Sequence, residues 1–192
     1  MKALLIIDVQ NDFCPGGALP VEKGDEVVPV LNDYIAYFRE QNLPILATRD
    51  WHPEVTVHFQ KYGGAWPVHC LQNSAGAAFH PDLALPDDTV IISCGVGREE
   101  QGYSAFEGVS GEGQSLLDYL RERRITELYV GGLATDYCVK HSVLDALRHG
   151  FKVHLLIDAC RGIDVEPGDI DKAIREMTDN GATLATLATA LA

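Results

Sequence analysis

Three sets of residues in this sequence have types and spacing suited to chemistry. The first is Gly131-Gly132-Leu133-Ala134-Thr135-Asp136-Tyr137-Cys138-Val139, which follows the apolar run Leu128-Tyr129-Val130 and precedes a helical pattern ending at Gly150. It reads as strand, glycine turn and helix, with a cysteine in the first helical turn. There the unpaired backbone N–H groups and the positive end of the helix dipole favour thiolate over thiol, which makes Cys138 a candidate nucleophile. A buried cysteine behind a turn is also an ordinary packing residue. The second is Asp8, at the end of the apolar run Ala3-Leu4-Leu5-Ile6-Ile7. It is either a turn cap or, if brought beside Cys138, the carboxylate that takes the thiol proton. The third is Asp50, His52, His58 and His69, one carboxylate and three imidazoles on a single irregular segment. That donor set suits a borderline divalent metal such as zinc, iron or manganese. Asp50 and His52, at i and i+2, share a side if the preceding strand persists. His80, His141, His149 and His154 show no such grouping; His80 reads as loop and His149 as a helix C-terminal residue before Gly150.

The elements that must position these groups alternate between short apolar runs and longer amphipathic ones. Strands are expected at Ala3–Ile7, Pro44–Thr48, Thr89–Ser93, Glu127–Val130, Lys152–Ile157 and Ala182–Thr186. Helices are expected at Asp25–Gln41, Gly113–Arg123, Asp136–His149 and Gly168–Asn180. This βαβ rhythm argues for an α/β fold, a mostly parallel sheet covered by helices on both faces, with ligands gathering beyond the carboxyl ends of the strands. The exception is Asp50–Asp88, an irregular stretch with Pro53, Pro67, Pro81 and Pro86. A loop of about forty residues inside a compact domain is usually functional or disordered, and its His and Trp content favours function.

Composition narrows the partners. The 192 residues, 46% hydrophobic, suit one domain over 1–192 with a sizeable core. Fifteen Lys and Arg against 28 Asp and Glu give a formal charge of -13, which disfavours nucleic acid and anionic membrane surfaces as partners. The first apolar run is broken by Asp8, too early for a signal peptide or membrane span, so a cytoplasmic protein is expected. Five cysteines without regular spacing read as reduced thiols. A small-molecule substrate is the expected partner, with homo-oligomerisation left open.

With these residues placed, the sequence resembles the nicotinamidases, within the isochorismatase-like cysteine hydrolases. The resemblance runs from Ile7-Asp8-Val9-Gln10-Asn11-Asp12-Phe13 through Arg49-Asp50-Trp51-His52, Trp66-Pro67-Val68-His69-Cys70, Phe79-His80-Pro81 and Gly102-Tyr103-Ser104-Ala105-Phe106 to the cysteine turn. The DxQNDF opening and ATDxCV carry the superfamily likeness; the metal quartet with WPxHC narrows it. The resemblance implies a three-layer α/β/α domain with a metal-site loop at about 50–88, acting in NAD salvage. It further implies that Cys138 attacks the carboxamide carbon of nicotinamide, that Asp8 moves the proton, and that water hydrolyses the resulting thioester to nicotinate. The oxyanion donors match the N–H groups of Ala134 and Cys138, with a cis peptide expected between Leu133 and Ala134. One divalent metal held by Asp50, His52, His58 and His69 would orient the ring through its pyridine nitrogen. Phe13, Trp66, Tyr103 and Tyr137 match positions that line or cover that ring, though each aromatic alone would suit core packing.

The sequence departs from the pattern at one position. The third catalytic residue of the family is a lysine followed by glycine after the third main strand, and here Val90-Ile91-Ile92-Ser93-Cys94-Gly95 places Cys94 there. A charge at ~4 Å is worth roughly 4 kcal/mol at an effective dielectric near 20, more than the helix terminus supplies. Lys140, Lys61 and Arg98 are the substitutes to consider, and Arg98, on a loop that can fold inward, is the best of them. Cys94 is an inert small residue in a working enzyme, the mark of reduced or different activity, an engineered change, or a redox partner for Cys138. Three functions follow: the nicotinamide amidohydrolase, a pyridine-ligand-binding relative without turnover, and another carbamoyl or ureido amidohydrolase of the superfamily. A Cys138–His141 dyad and a metallohydrolase sparing His58 are the lesser alternatives.

Overall fold

In the computed structural model, which describes residues 1–190, the strands are β1 (Lys2–Ile7), β2 (Ile45–Asp50), β3 (Val90–Cys94), β4 (Val109–Ser110), β5 (Glu127–Leu133), β6 (Lys152–Arg161) and β7 (Thr183–Ala185). The helices are α1 (Val27–Glu40), α2 (Leu116–Glu122), α3 (Lys140–Arg148), α4 (Asp169–Asp179) and α5 (Leu187–Ala190). The last two residues of the expected 1–192 range lie outside the described ones. The seven strands form one sheet in the order β4-β3-β2-β1-β5-β6-β7, parallel throughout except for β3 against β4.

β1 is central, and its alternation serves both faces. Ala3, Leu5 and Ile7 pack in one cluster with Leu116 and Leu120 of α2, Val143 of α3 and Met177 of α4. Leu4 and Ile6 pack in the other with Val28, Leu31, Ile35 and Phe38 of α1. A strand buried on both faces reads as an unbroken apolar run, which is how residues 3–7 appear, and the result is helix, sheet, helix in three layers. The chain runs outward from β1 to β2 and β3 on one side, then returns to β5, β6 and β7 on the other. The carboxyl ends of β1, β2 and β5 therefore meet where the winding reverses, the position at which open α/β sheets form their ligand sites.

Several boundaries differ from the expected ones. β4 is a two-residue edge strand with too little period to read. Gly131 and Gly132 are not the turn after β5 but its last residues with Leu133. A Cβ on Gly132 would collide with the carbonyl oxygen of Ile7, so glycine is needed for β5 to approach β1. The helix expected from Asp136 begins as a π-turn over Thr135–Val139, where the N–H of Val139 reaches the carbonyl of Ala134, and continues as α3. The segment from 51 to 89 contains one 3-10 turn, Gln60–Tyr62, and short bridges pairing His52 with Leu71 and Phe59 with Trp66. No described helix is long and apolar enough to cross a membrane.

Candidate active site

Asp8 follows β1 in a left-handed backbone conformation, φ 48°, one that aspartate tolerates better than most residues. The Thr48 hydroxyl of neighbouring β2 donates to its Oδ1 at 2.5 Å, while the Asp8 N–H donates back to that hydroxyl at 3.2 Å. From the other side, β5 delivers the π-turn carrying Cys138, and the peptide between Leu133 and Ala134 is cis. The thiol, the Asp8 carboxylate and the Asp50 carboxylate offer donor atoms within 4.8 Å of one another. All three residues are buried.

This environment favours the neutral forms. Burial, and then the charge of Asp50, raise the Asp8 carboxyl well above its usual range, with the Thr48 hydroxyl and the Cys138 thiol partly offsetting them. Burial followed by the charges of Asp8 and Asp50 raises the Cys138 thiol as well. The expectation that the helix terminus holds Cys138 as thiolate is thus corrected. A dipole effect of about 0.3–1 kcal/mol is outweighed by burial beside two carboxylates.

Asp50 ends β2 and separates Asp8 and Cys138 from the histidines. Its Oδ2 lies 3.3 Å from Nε2 of His52 and 3.5 Å from Nε2 of His69. The ring of His58 stacks on His52 at 4.4 Å between centroids. Each histidine sets Nδ1 against an acceptor: the carbonyl of Gly95 for His52 at 3.1 Å, Gln101 Oε1 for His58 at 3.2 Å, and the carbonyl of Pro67 for His69 at 2.8 Å. With Nδ1–H donating outward, the Nε2 lone pairs are free to converge, the usual preparation of imidazoles for a metal. Donor atoms of all four residues lie within 4.8 Å of one another. Nε2 of His52 is buried without a hydrogen-bond partner, which suits a metal-ligating nitrogen; Oδ1 of Asp50, the oxygen turned away from His52 and His69, is also buried without one. Three nitrogens and one carboxylate oxygen fit a divalent ion of the zinc type. When His52 and His69 carry a proton on Nε2, their interaction with the Asp50 carboxylate outweighs its burial and holds it well below the usual carboxylate range. Burial, and then the charge of His52, push His58 down to about 4.

Thiol and metal set open on one cavity. It is bounded by Phe13, Trp66, Tyr103, Tyr137, Ala134, Cys138, Asp50, His58 and His69, and also by Leu19 and Ile163, which sequence reasoning did not single out. Its free volume is about 20 Å³, room for one water molecule. Trp66 Nε1 donates to the Tyr103 hydroxyl at 2.7 Å, and the Trp66 ring meets Tyr137 edge-on at 4.8 Å, closing the space. A larger cleft of about 580 Å³ lies at the opposite ends of β2 and β3, beside Arg39 and Arg123, remote from these groups.

Cys94 ends β3, in register with Asp50, and is buried with its thiol toward the carbonyl of Ser104. None of the proposed substitutes for a lysine reaches Asp8. Arg98 is an exposed side chain near Glu99, Lys140 pairs with Glu176, and Lys61 lies over the Tyr62 ring. Arg98 stays outside because its carbonyl is tied to the Val57 N–H while its side chain extends into solvent. Among the described residues no lysine or arginine makes an ion pair with Asp8 or Asp50.

Other supporting residues lie within quoted motifs whose individual duties spacing does not disclose. Gln10, fully buried, donates from Nε2 to the carbonyls of Asp50 at 2.8 Å and Ala77 at 2.9 Å, and its Oε1 accepts the Asp50 N–H at 2.8 Å. Its side chain thereby grips Asp50 on both backbone groups. Asp12 accepts the Cys70 N–H at 2.7 Å, steadying the turn next to His69. Asp136 accepts the N–H groups of Ile163 at 2.9 Å and Asp164 at 2.8 Å, joining the cysteine turn to the far wall of the cavity.

A mostly parallel α/β/α sheet, with a buried thiol and carboxylate at its switch point and four converging residues able to hold a metal alongside, defines the class of protein. The chain belongs to the isochorismatase family, the Isochorismatase domain matching residues 2–189. It is 42% identical over 203 aligned residues to the nicotinamidase of Escherichia coli (strain K12), covering 97% of this chain and 95% of that protein. Pyrazinamidase of Pyrococcus horikoshii in complex with zinc superposes with a TM-score of 0.89 at 45% identity, over 97% of this chain and 99% of that one. PnC1 from L. infantum in complex with nicotinate superposes with a TM-score of 0.87 at 34% identity, over 98% and 94%.

Proposed function

We propose that this chain, as one hydrolase domain, is a metal-dependent cysteine amidohydrolase that converts nicotinamide to nicotinate and ammonia, serving NAD salvage in the cytoplasm. The observation that carries the reading is that Cys138, grouped with Asp8, and Asp50, His58 and His69 of a convergent Asp-His-His-His set line one aromatic cavity. When bound by Asp50, His52, His58 and His69, a divalent ion such as zinc, iron or manganese supplies a Lewis-acid partner for a ring nitrogen. Phe13, Trp66, Tyr103 and Tyr137 enclose the ring and exclude water. Asp8 takes the proton of Cys138 as sulfur attacks the carboxamide carbon, and the N–H groups of Ala134 and Cys138 hold the oxygen that becomes negative. The carbon–nitrogen bond breaks as Asp8 returns the proton to the departing ammonia. Asp8 then deprotonates water, which cleaves the thioester, frees nicotinate and leaves the thiol to regain its proton.

Cys94 leaves this cycle without a positive side chain beside Asp8, so the carboxylate form of Asp8 is harder to reach and turnover is slowed. Ammonia release from nicotinamide by metal-loaded wild type, Cys138→Ala and Cys94→Lys tests both points. Activity should vanish in the first variant. In the second it should rise by roughly a hundredfold, taking about 3 of the roughly 4 kcal/mol a nearby charge provides. No ammonia from either wild type or Cys94→Lys would defeat the reading.

A further inference from the structure

We propose that Asp8, Asp50 and Cys138 form a second cation site, suited to a thiophilic divalent ion such as Cd²⁺ or Zn²⁺, with Asp50 bridging it to the histidine set. Three observations carry this. The donor atoms lie within 4.8 Å of one another. A tetrahedral ion bonded at about 2.3 Å to sulfur and about 2.0–2.2 Å to oxygen holds its ligand atoms about 3.4–3.6 Å apart, so the widest pair needs to draw in by at most about 1.4 Å, within reach of side-chain rotation. Each carboxylate also has an oxygen to spare. Asp8 places Oδ1 against the Thr48 hydroxyl, leaving Oδ2. Asp50 turns Oδ2 to His52 and His69, while Oδ1 is buried without a partner in a residue only 3% exposed. A carboxylate so divided can serve one ion with each oxygen. Finally, no lysine or arginine among the described residues pairs with either carboxylate, so nothing cationic but the histidines on the far side of Asp50 faces the two acidic groups and the thiol. One sulfur with two carboxylate oxygens is a mixed donor set that zinc and cadmium accept.

On binding, Cys138 gives its proton to solvent and a metal–sulfur bond forms, with no change in oxidation state. The sulfur lone pair needed to attack a substrate is then occupied. A second ion is therefore inhibitory, and it competes with any ligand of the thiol rather than with ligands of the histidines.

Cadmium alone is the probe, titrated into the metal-free full chain under reducing conditions. Bound ions are counted by elemental analysis, and the ultraviolet thiolate-to-cadmium charge-transfer band is followed. Wild type should bind two ions per chain with the band; Cys138→Ala should bind one without it, that retained ion also reporting an intact fold. Cys94→Ser should keep both ion and band. Cys94→Lys, which puts an ammonium on the strand partner of Asp50, should lose the second ion. A single ion without the band in wild type overturns the proposal. So does a band that survives in Cys138→Ala, which assigns it to Cys14, Cys70, Cys94 or Cys160, or one that disappears in Cys94→Ser. A second ion retained by Cys94→Lys refutes the part played by the missing charge.

Discussion

Replacing Gln10 with leucine should weaken metal binding without touching a metal ligand. The amide makes three hydrogen bonds of 2.8–2.9 Å in a fully buried position: two to the N–H and carbonyl of Asp50, and one to the carbonyl of Ala77. Leucine fills similar space but leaves those three backbone groups without partners. Each buried orphan costs about 1–3 kcal/mol, and local relaxation recovers part of the sum, so the metal-free chain should lose about 3–5 kcal/mol of stability. The effect on the ion is separate. Gln10 aligns the backbone on which Asp50 stands, and outer-shell partners of this kind are typically worth 10–100-fold in metal affinity. Denaturant unfolding of the metal-free protein gives the first quantity, and zinc titration against a competing chelator gives the second. A stability loss under 1 kcal/mol together with unchanged zinc affinity would refute the assignment of Gln10 as the support of Asp50. Loss of stability with full affinity would refute its metal-positioning part alone.

Three further outcomes are expected. Because His58 is pushed down to about 4 from 6.5, the unfolded chain binds its proton first as pH falls. Its contribution to the stability of the metal-free protein is complete above pH 6.5 and is lost as pH falls through about 4, amounting to about 3 kcal/mol. Asp8, whose carboxyl is raised, has the opposite slope, so the measurement is the difference in unfolding free energy between wild type and His58→Gln at pH 7 and pH 4.5, which should shrink at the lower pH. Tyr103→Phe removes the 2.7 Å bond from Trp66 that closes the cavity. Stopped-flow binding of nicotinate, read by tryptophan fluorescence, should speed up by as much as about tenfold, corresponding to a bond of about 0.5–1.5 kcal/mol; unchanged association would show that closure does not depend on this bond. Asp136→Ala frees the N–H groups of Ile163 and Asp164 and should cost about 2–4 kcal/mol with a raised KM, whereas Asp136→Asn, keeping one acceptor, should recover part of both in denaturation and steady-state assays.

The sequence by itself determined which residue types are available for chemistry and roughly where they sit along the chain. The unbroken apolar run before Asp8 declared a strand buried on both faces, and alternation with amphipathic runs declared a parallel α/β sheet, because those patterns are local properties of the chain. The gathering of Asp50, His52, His58 and His69 was legible because residue type alone restricts what such a set can bind. Tertiary structure decided everything that depends on distance. Whether Asp8 is a turn cap or the partner of Cys138 rests on β1 lying between β2 and β5, a neighbour relation that no local pattern encodes. The glycines expected in the turn belong to β5 because they pass close to the backbone of Ile7, a contact between residues far apart in sequence. Gln10 and Asp136 looked like motif letters, and Thr48 like the end of a strand, until their partners were visible. The protonation of Cys138 reversed for the same reason: a helix terminus is readable locally, but burial beside two carboxylates follows from packing, and it is the larger effect.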